Sequence, residues 1–248
     1  MAVHDFRSQR LYLDQTLEDG RQIACDKAQA NYLRNVLRLG DGAGILVFNG
    51  RDGEWRATVM PRGKRDCELG IAEKVRGQEG GPDVRYLFAP LKRARLDYMV
   101  QKATEMGVAC LEPVITAHTV AERVNVERMR ANVIEAAEQC GVLRIPDVRE
   151  PVPLDRALAD WSAGRALLFA DEAAEGAALT AFEGLARGTP VAVLIGPEGG
   201  FSEGERARIR RLPAARTVSL GPRIMRADTA AVAMLALVNA TIGDWGEA

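Results

Sequence analysis

Histidine is nearly missing from this 248-residue chain: only His4 and His118 are present, which argues against a histidine-built metal site or a Ser-His-Asp triad. The four cysteines, Cys25, Cys67, Cys110 and Cys140, lie at least 30 positions apart, and no C-x-x-C pair occurs. That spacing excludes a zinc ribbon and a thiol redox motif and reads as reduced thiols in the cytosol. No apolar run approaches the roughly 18 residues a membrane-spanning helix needs, and the N-terminus lacks the apolar segment of a secretion signal. The expectation is a soluble, cytoplasmic protein with no membrane partner and no metal. Net charge is also small: 33 Lys and Arg against 34 Asp and Glu leave −1. Attraction of the whole molecule to nucleic acid is therefore absent, and any such binding rests on local patches.

Such patches are present. Arg51, Arg56, Arg62, Lys64 and Arg65 face only Asp52 and Glu54 over the same stretch; Lys92, Arg93 and Arg95 form a second group, and Arg206, Arg208, Arg210, Arg211 and Arg216 a third. Each alone reads as a solvated face. Three in a near-neutral chain favour nucleic-acid contact. The 47% apolar and 27% charged composition is that of an ordinary globular protein, and the length allows two domains or one large one.

Residues 1–76 read as mostly β. Short alternating runs at Arg10 to Leu13, Gly44 to Phe48, Glu54 to Met60 and Cys67 to Val75 are separated by the turn pairs Asp41-Gly42, Asn49-Gly50 and Asp52-Gly53. One helix, Asp26 to Leu37, interrupts them, with Asp26 as N-cap and Leu33, Val36 and Leu37 facing inward. The pattern suggests a small barrel. Basic residues with Trp55 and Tyr32 nearby suit RNA held by phosphate contacts and stacking, and equally suit core aromatics beside surface charges. GQEGGPD, residues 77–83, is the best linker.

From residue 84 to 248 strands and helices alternate, which predicts an α/β domain on a mainly parallel sheet. Expected strands are Val84 to Phe88, Cys110 to Ile115, Ala166 to Ala170, Val191 to Ile195 and Thr217 to Leu220. Expected helices are Arg93 to Met106, Val126 to Cys140, Ser202 to Leu212 and Asp228 to Ile242.

The most informative stretch is VAVLIGPEGGFSEGE, Val191 to Glu205. A buried strand ends at Gly196, a bare loop follows through Pro197, Glu198, Gly199 and Gly200, and Ser202 with Glu205 forms a capping box that opens a basic helix. Such a loop aims free backbone N–H groups at a ligand. SLGPRIMR, Ser219 to Arg226, repeats the device with Gly221, Pro222 and two arginines. Neither loop fits G-x-x-x-x-G-K-[ST] or G-x-G-x-x-G, so a phosphate cradle is disfavoured, and Glu198 would repel a phosphate.

LIGPEGGFSEGE and LGPRIMRADTA resemble the two signature segments of bacterial 16S ribosomal RNA uridine-N3 methyltransferases, members of the SPOUT superfamily. QKATEMGV, EAAEQCGVLRIP and YLRNVLRLGDG are similar to three further segments of that family, so the likeness spans nearly the whole chain in the right order. Tyr32 stands where the family often has a histidine, and Val142 where an arginine commonly follows the glutamine-bearing helix, with Arg144 as its substitute.

The resemblance implies a PUA-like RNA-binding barrel followed by an α/β SPOUT domain with a C-terminal trefoil knot. It implies S-adenosylmethionine as cofactor, a homodimer, and 16S ribosomal RNA or the 30S subunit as partner. The cofactor would be held by Phe169, Ile195, Gly196, Pro197, Gly199, Gly200, Leu220, Gly221, Ile224 and Met225. Arg223, Arg226 and Glu198 would serve catalysis. RNA would be held by Tyr32, Arg34, Arg38, Arg62, Lys64, Arg65, Lys92, Arg93, Arg95, Gln139 and Arg144. On this reading a valine at Gly196 fills the cofactor cleft. A SPOUT relative acting on a ribose 2′-hydroxyl or on transfer RNA, or a non-catalytic RNA-binding adaptor, would share many of these features.

Overall fold

The computed structural model describes residues 5, 7–63, 66–121, 123–159 and 161–246, so Lys64 and Arg65 lie outside the described residues. The chain divides into two compact units, Met1–Gly80 with Ala137–Ile145, and Gly81–Ala136 with Pro146–Ala248.

In the first unit, β1 (Arg10–Tyr12), β2 (Gln22–Ala24), β3 (Gly44–Phe48), β4 (Glu54–Arg62) and β5 (Asp66–Arg76) form one sheet in the order β1-β3-β4-β5-β2. β1 and β3 are parallel, and the remaining pairs antiparallel. Alternation along β4 and β5 buries Ala57, Val59, Leu69 and Ile71 on one face, where they meet Ile45 and Val47 of β3. β2 escapes a sequence reading because it is three residues long with Ile23 as its one buried side chain.

The single helix expected over Asp26 to Leu37 is two pieces: α1 (Lys27–Asn31), then a wider π turn over Tyr32–Val36. Asp26 caps α1 as expected, and Gln29 closes a capping box with it. The wider turn rotates later residues off the helical stripe, so Leu33 is buried whereas Val36, expected to face inward, is 60% exposed.

Glu54 is buried between two arginines of this unit, 2.8 Å from Arg10 and 3.1 Å from Arg76. Arg76 also donates to the Gly141 carbonyl at 2.8 Å, and Glu138 accepts the Tyr12 N–H at 2.8 Å. With Phe48 packed on Ala137 and Leu143, these bonds explain why Ala137–Ile145 groups with the first unit. A division of the sequence at residues 77–83 leaves that stretch with the second.

The second unit is built on β6 (Val84–Phe88), β7 (Cys110–Ile115), β8 (Asp147–Val148), β9 (Val152–Pro153), β10 (Ala166–Ala170), β11 (Val191–Ile195) and β12 (Ala215–Val218). The order is β12-β10-β11-β6-β7-β8, with β9 also on β7, and every pairing is parallel. Apolar runs such as VAVLI, buried at all five positions, are what a strand covered on both faces requires. Helices are α2 (Arg93–Glu105), α3 (Val126–Cys140, of which the part before Ala137 belongs to this unit), α4 (Leu154–Ala159), α5 (Glu203–Arg210) and α6 (Ala227–Thr241). α2 buries Leu96, Met99, Val100 and Ala103, the stripe that helical spacing predicts. β12 starts two residues before the expected Thr217, because its ladder with β10 runs from Ala215 opposite Leu167 to Val218 opposite Ala170. No described helix is long and apolar enough to cross a membrane.

Candidate active site

Because β6, β7, β10, β11 and β12 run parallel in one sheet, the loops after all five leave the same edge. The carboxyl edge of an open parallel sheet is where ligands bind in such folds. There the loop after β11 carries Gly196 to Gly200, and the loop after β12 carries Ser219 to Arg226. The segments that follow β6 and β7 bring Lys92, Arg93 and Arg95, and His118, to that edge.

The first loop is held from several sides. Ser202 and Glu205 form the capping box that their spacing predicts and start α5. Glu205 is buried and accepts the Ala117 N–H at 2.8 Å as well as the Ser202 N–H at 2.8 Å. Burial pushes this carboxyl up, but the donors of Ala117 and Ser202 outweigh it, and its pKa falls below the usual carboxylate value. His118 Nδ1 lies 3.0 Å from the carbonyl oxygens of both Gly199 and Gly200. Glu198 forms an ion pair with Arg95, in place of contacts to the loop's own N–H groups.

Gly196 corrects an expectation. A Cβ there would lie 2.6 Å from the Phe201 ring, so the glycine makes room for that ring and a valine would meet it. Phe169, expected to touch a cofactor, is fully buried, edge-on to Phe201 with ring centroids 5.1 Å apart. Its side chain belongs to the core. Ile195 and Pro197 are buried as well. The N–H groups of Gly199 and Phe201 carry no hydrogen bond within the described residues, so the loop retains the free donors its sequence predicts.

The second loop is open. Gly221 has φ +95°, a conformation costly to residues with a Cβ, and a Cβ there would meet nothing within 4 Å. Leu220 and Met225 are half-buried, while Ile224 is 94% exposed. Arg223 and Arg226 are exposed, and neither guanidinium has a partner among the described residues.

The residues expected to hold RNA differ in how far they are committed. Arg62 pairs with Glu68 at 2.8 Å. Arg34 donates to the carbonyls of Gly63 at 2.7 Å and Asp66 at 3.3 Å, and Arg144 to that of Gly80 at 2.6 Å. Tyr32 packs half-buried against the first unit's core. Arg38, Lys92, Arg93 and Gln139 are exposed. The third basic cluster is largely paired within the protein. Arg206 pairs with Glu172, Arg210 with Asp171 at 2.6 Å, Arg208 with Asp155, and Arg216 donates to the carbonyls of Ala181 and Glu183. The acids and carbonyls that absorb it are distant in sequence. His118 was missed as a site residue for the same reason, since it meets Gly199 across 81 positions.

A parallel sheet whose carboxyl edge carries two glycine bends, with backbone donors and arginines that have no partner among the described residues, defines an α/β protein with a candidate ligand site on that edge. The sequence model described as RNA methyltransferase domain matches residues 79–239, and that described as RNA methyltransferase PUA domain matches residues 26–71. Ribosomal RNA small subunit methyltransferase E of Rickettsia conorii is 28% identical, over 93% of this chain and 94% of its own length. The Legionella pneumophila protein Lpg2936, solved with the bound cofactor SAM, superposes with a TM-score of 0.86 at 28% identity, covering 96% of this chain and 99% of that one. Ribosomal RNA small subunit methyltransferase E of Neisseria gonorrhoeae shares the fold at a TM-score of 0.85 and 24% identity, over 96% and 100% of the two chains. The chain belongs to the family of RNA methyltransferases.

Proposed function

We propose that this protein methylates N3 of a uridine in the 16S ribosomal RNA of the small subunit, with S-adenosylmethionine as methyl donor. The observation that carries the reading is the pair of glycine bends on one sheet edge, with N–H groups at Gly199 and Phe201 that are unbonded among the described residues and open space at Gly221. Relatives support the substrate and the donor: the Rickettsia protein is named for the small ribosomal subunit, and the Legionella protein holds SAM.

The donor fits the residues present. Backbone N–H donors suit the ring-nitrogen acceptors of its adenine, and the lack of a phosphate motif suits a nucleoside that carries no phosphate. Bound there, S-adenosylmethionine supplies an electrophilic methyl group. The backbones of Ile195, Gly196, Pro197, Gly199, Gly200, Leu220 and Gly221, with Ile224 and Met225, would hold it; the Phe169 side chain would not. Uridine N3 must lose its proton, and charge then spreads onto O2 and O4 of the base. Arg223 and Arg226, exposed and without a partner among the described residues, are suited to stabilise that charge, because a guanidinium stays ionised and offers several donors. Glu198 is engaged by Arg95, which favours an orienting role over that of proton acceptor. Alignment of N3 with the methyl group contributes most, on the order of 7 to 11 kcal/mol, against roughly 3 to 5 kcal/mol for one positioned base.

RNA would be gripped by Arg38, Lys92, Arg93 and Gln139, with Tyr32, Arg34, Arg62, Lys64, Arg65, Arg95 and Arg144 as further contacts. The same reading takes residues 1–76 as the RNA-binding domain, 84–248 as the methyltransferase domain with its trefoil knot, a homodimer as the working form, and the cytoplasm as its location. Nucleoside mass spectrometry of ribosomal RNA treated in vitro tests the function. N3-methyluridine is the expected product; a 2′-O-methyl nucleoside, or transfer of methyl only to transfer RNA, would overturn it.

A further inference from the structure

We propose that His118 is a positioning residue for the methyl-donor loop: its Nδ1–H ties the carbonyls of Gly199 and Gly200, and so aims the peptide N–H groups between Pro197 and Ser202. The inference rests on the function proposed above and assigns a task to a residue that lies outside every sequence motif of the site.

Both partners of His118 Nδ1 are carbonyl oxygens at 3.0 Å. Carbonyls only accept, so this nitrogen carries the proton and donates to both. A planar trans peptide points its C=O and N–H in opposite directions. Holding the Gly199 carbonyl therefore turns the Gly200 N–H away from His118, and that N–H reaches the Pro197 carbonyl at 2.9 Å. Holding the Gly200 carbonyl turns the Phe201 N–H away in the same manner, and that donor has no partner within the described residues. One histidine thus fixes one peptide inside a tight turn and leaves the next presenting a free donor.

The rest of the segment is braced for this task. Ala117, the preceding residue, donates its N–H to the buried Glu205 at 2.8 Å, and Thr116 donates its N–H to the Thr119 hydroxyl at 2.9 Å. The histidine is therefore carried on a turn anchored to α5 and to itself. The loop it holds is rich in glycine, and its other ties over residues 197–200 are the Glu198–Arg95 ion pair and the bond from the Gly200 N–H to Pro197. A Cβ at Gly199 would sit 3.3 Å from the His118 Cβ, so the two segments are already in contact.

The test compares His118→Ala, His118→Asn and wild type. Asparagine places an amide N–H near the position of Nδ1 and should restore the tie; alanine cannot. Amide hydrogen exchange of the ligand-free proteins should be faster over residues 197–202 in His118→Ala and close to wild type in His118→Asn. Titration calorimetry with S-adenosylmethionine should give about tenfold weaker binding for His118→Ala, the scale of two lost hydrogen bonds, with most of it recovered in His118→Asn. Exchange and affinity both unchanged in His118→Ala would overturn the proposal, as would equal losses in the two variants. Wild-type protein with no affinity for S-adenosylmethionine overturns the methyl-donor reading instead, while the exchange data judge the tie by themselves.

Discussion

Gly196 and Phe201 are matched: the ring occupies the volume that a side chain at residue 196 would need, 2.6 Å from an ideal Cβ. Phe201 is buried and cannot swing aside, since Phe169 packs edge-on against it. Gly196→Ala should therefore cost about 1–3 kcal/mol through overpacking, read as a lower Tm of the ligand-free protein. A Tm equal to wild type would mean that the ring yields, and that the glycine serves the ligand alone.

Glu54 should be the most sensitive carboxylate in the first unit. Its side chain is 4% exposed between Arg10 and Arg76, which are themselves nearly as buried. Glu54→Ala removes the carboxylate that both buried guanidinium groups share, a loss of about 3–5 kcal/mol. Urea unfolding gives the value. A loss below about 1 kcal/mol would mean that solvent reaches both guanidinium groups.

Glu205 should make acid stability depend on the loop. Its folded pKa lies below the unfolded value of 4.5, so its stabilisation is fully present above that value and disappears as pH falls through the lower folded one. Glu205→Gln should accordingly be less stable than wild type at pH 7, and the gap should close as pH drops below about 4.5. Thermal melts across that range check it. A gap constant with pH would assign the difference to packing.

Exposed cations without partners should dominate any salt-dependent RNA affinity. Lys92→Ala with Arg93→Ala should lower the slope of log affinity against log salt by up to about 2, one for each phosphate that is no longer neutralised. Arg62→Ala should change it less, because Glu68 already neutralises that guanidinium. Filter binding at several salt concentrations measures both. Equal slopes for the Lys92/Arg93 variant and wild type would place the RNA surface elsewhere.

Much of the second unit was legible because its strands are short apolar runs closed by glycine, proline or charge. Val84–Phe88, Cys110–Ile115, Ala166–Ala170 and Val191–Ile195 lie where the sequence puts them. The Ser202–Glu205 box was legible for another reason: its two partners are three residues apart, and the bond is local. Distant pairings were hidden. Nothing near Arg206 or Arg210 announces Asp171 and Glu172, and nothing near His118 announces Gly199. The π turn at Tyr32–Val36 was hidden too, since its apolar spacing still suits an ordinary helix. α4, β8 and β9 are too short to impose a period.

The most direct test of the account is a crystal structure of the protein soaked with S-adenosylmethionine. The nucleoside should lie on the sheet's carboxyl edge, touching the backbone of both residues 196–201 and residues 219–225. Density for it away from both bends, or no density at a saturating concentration, would contradict methyl transfer at this site.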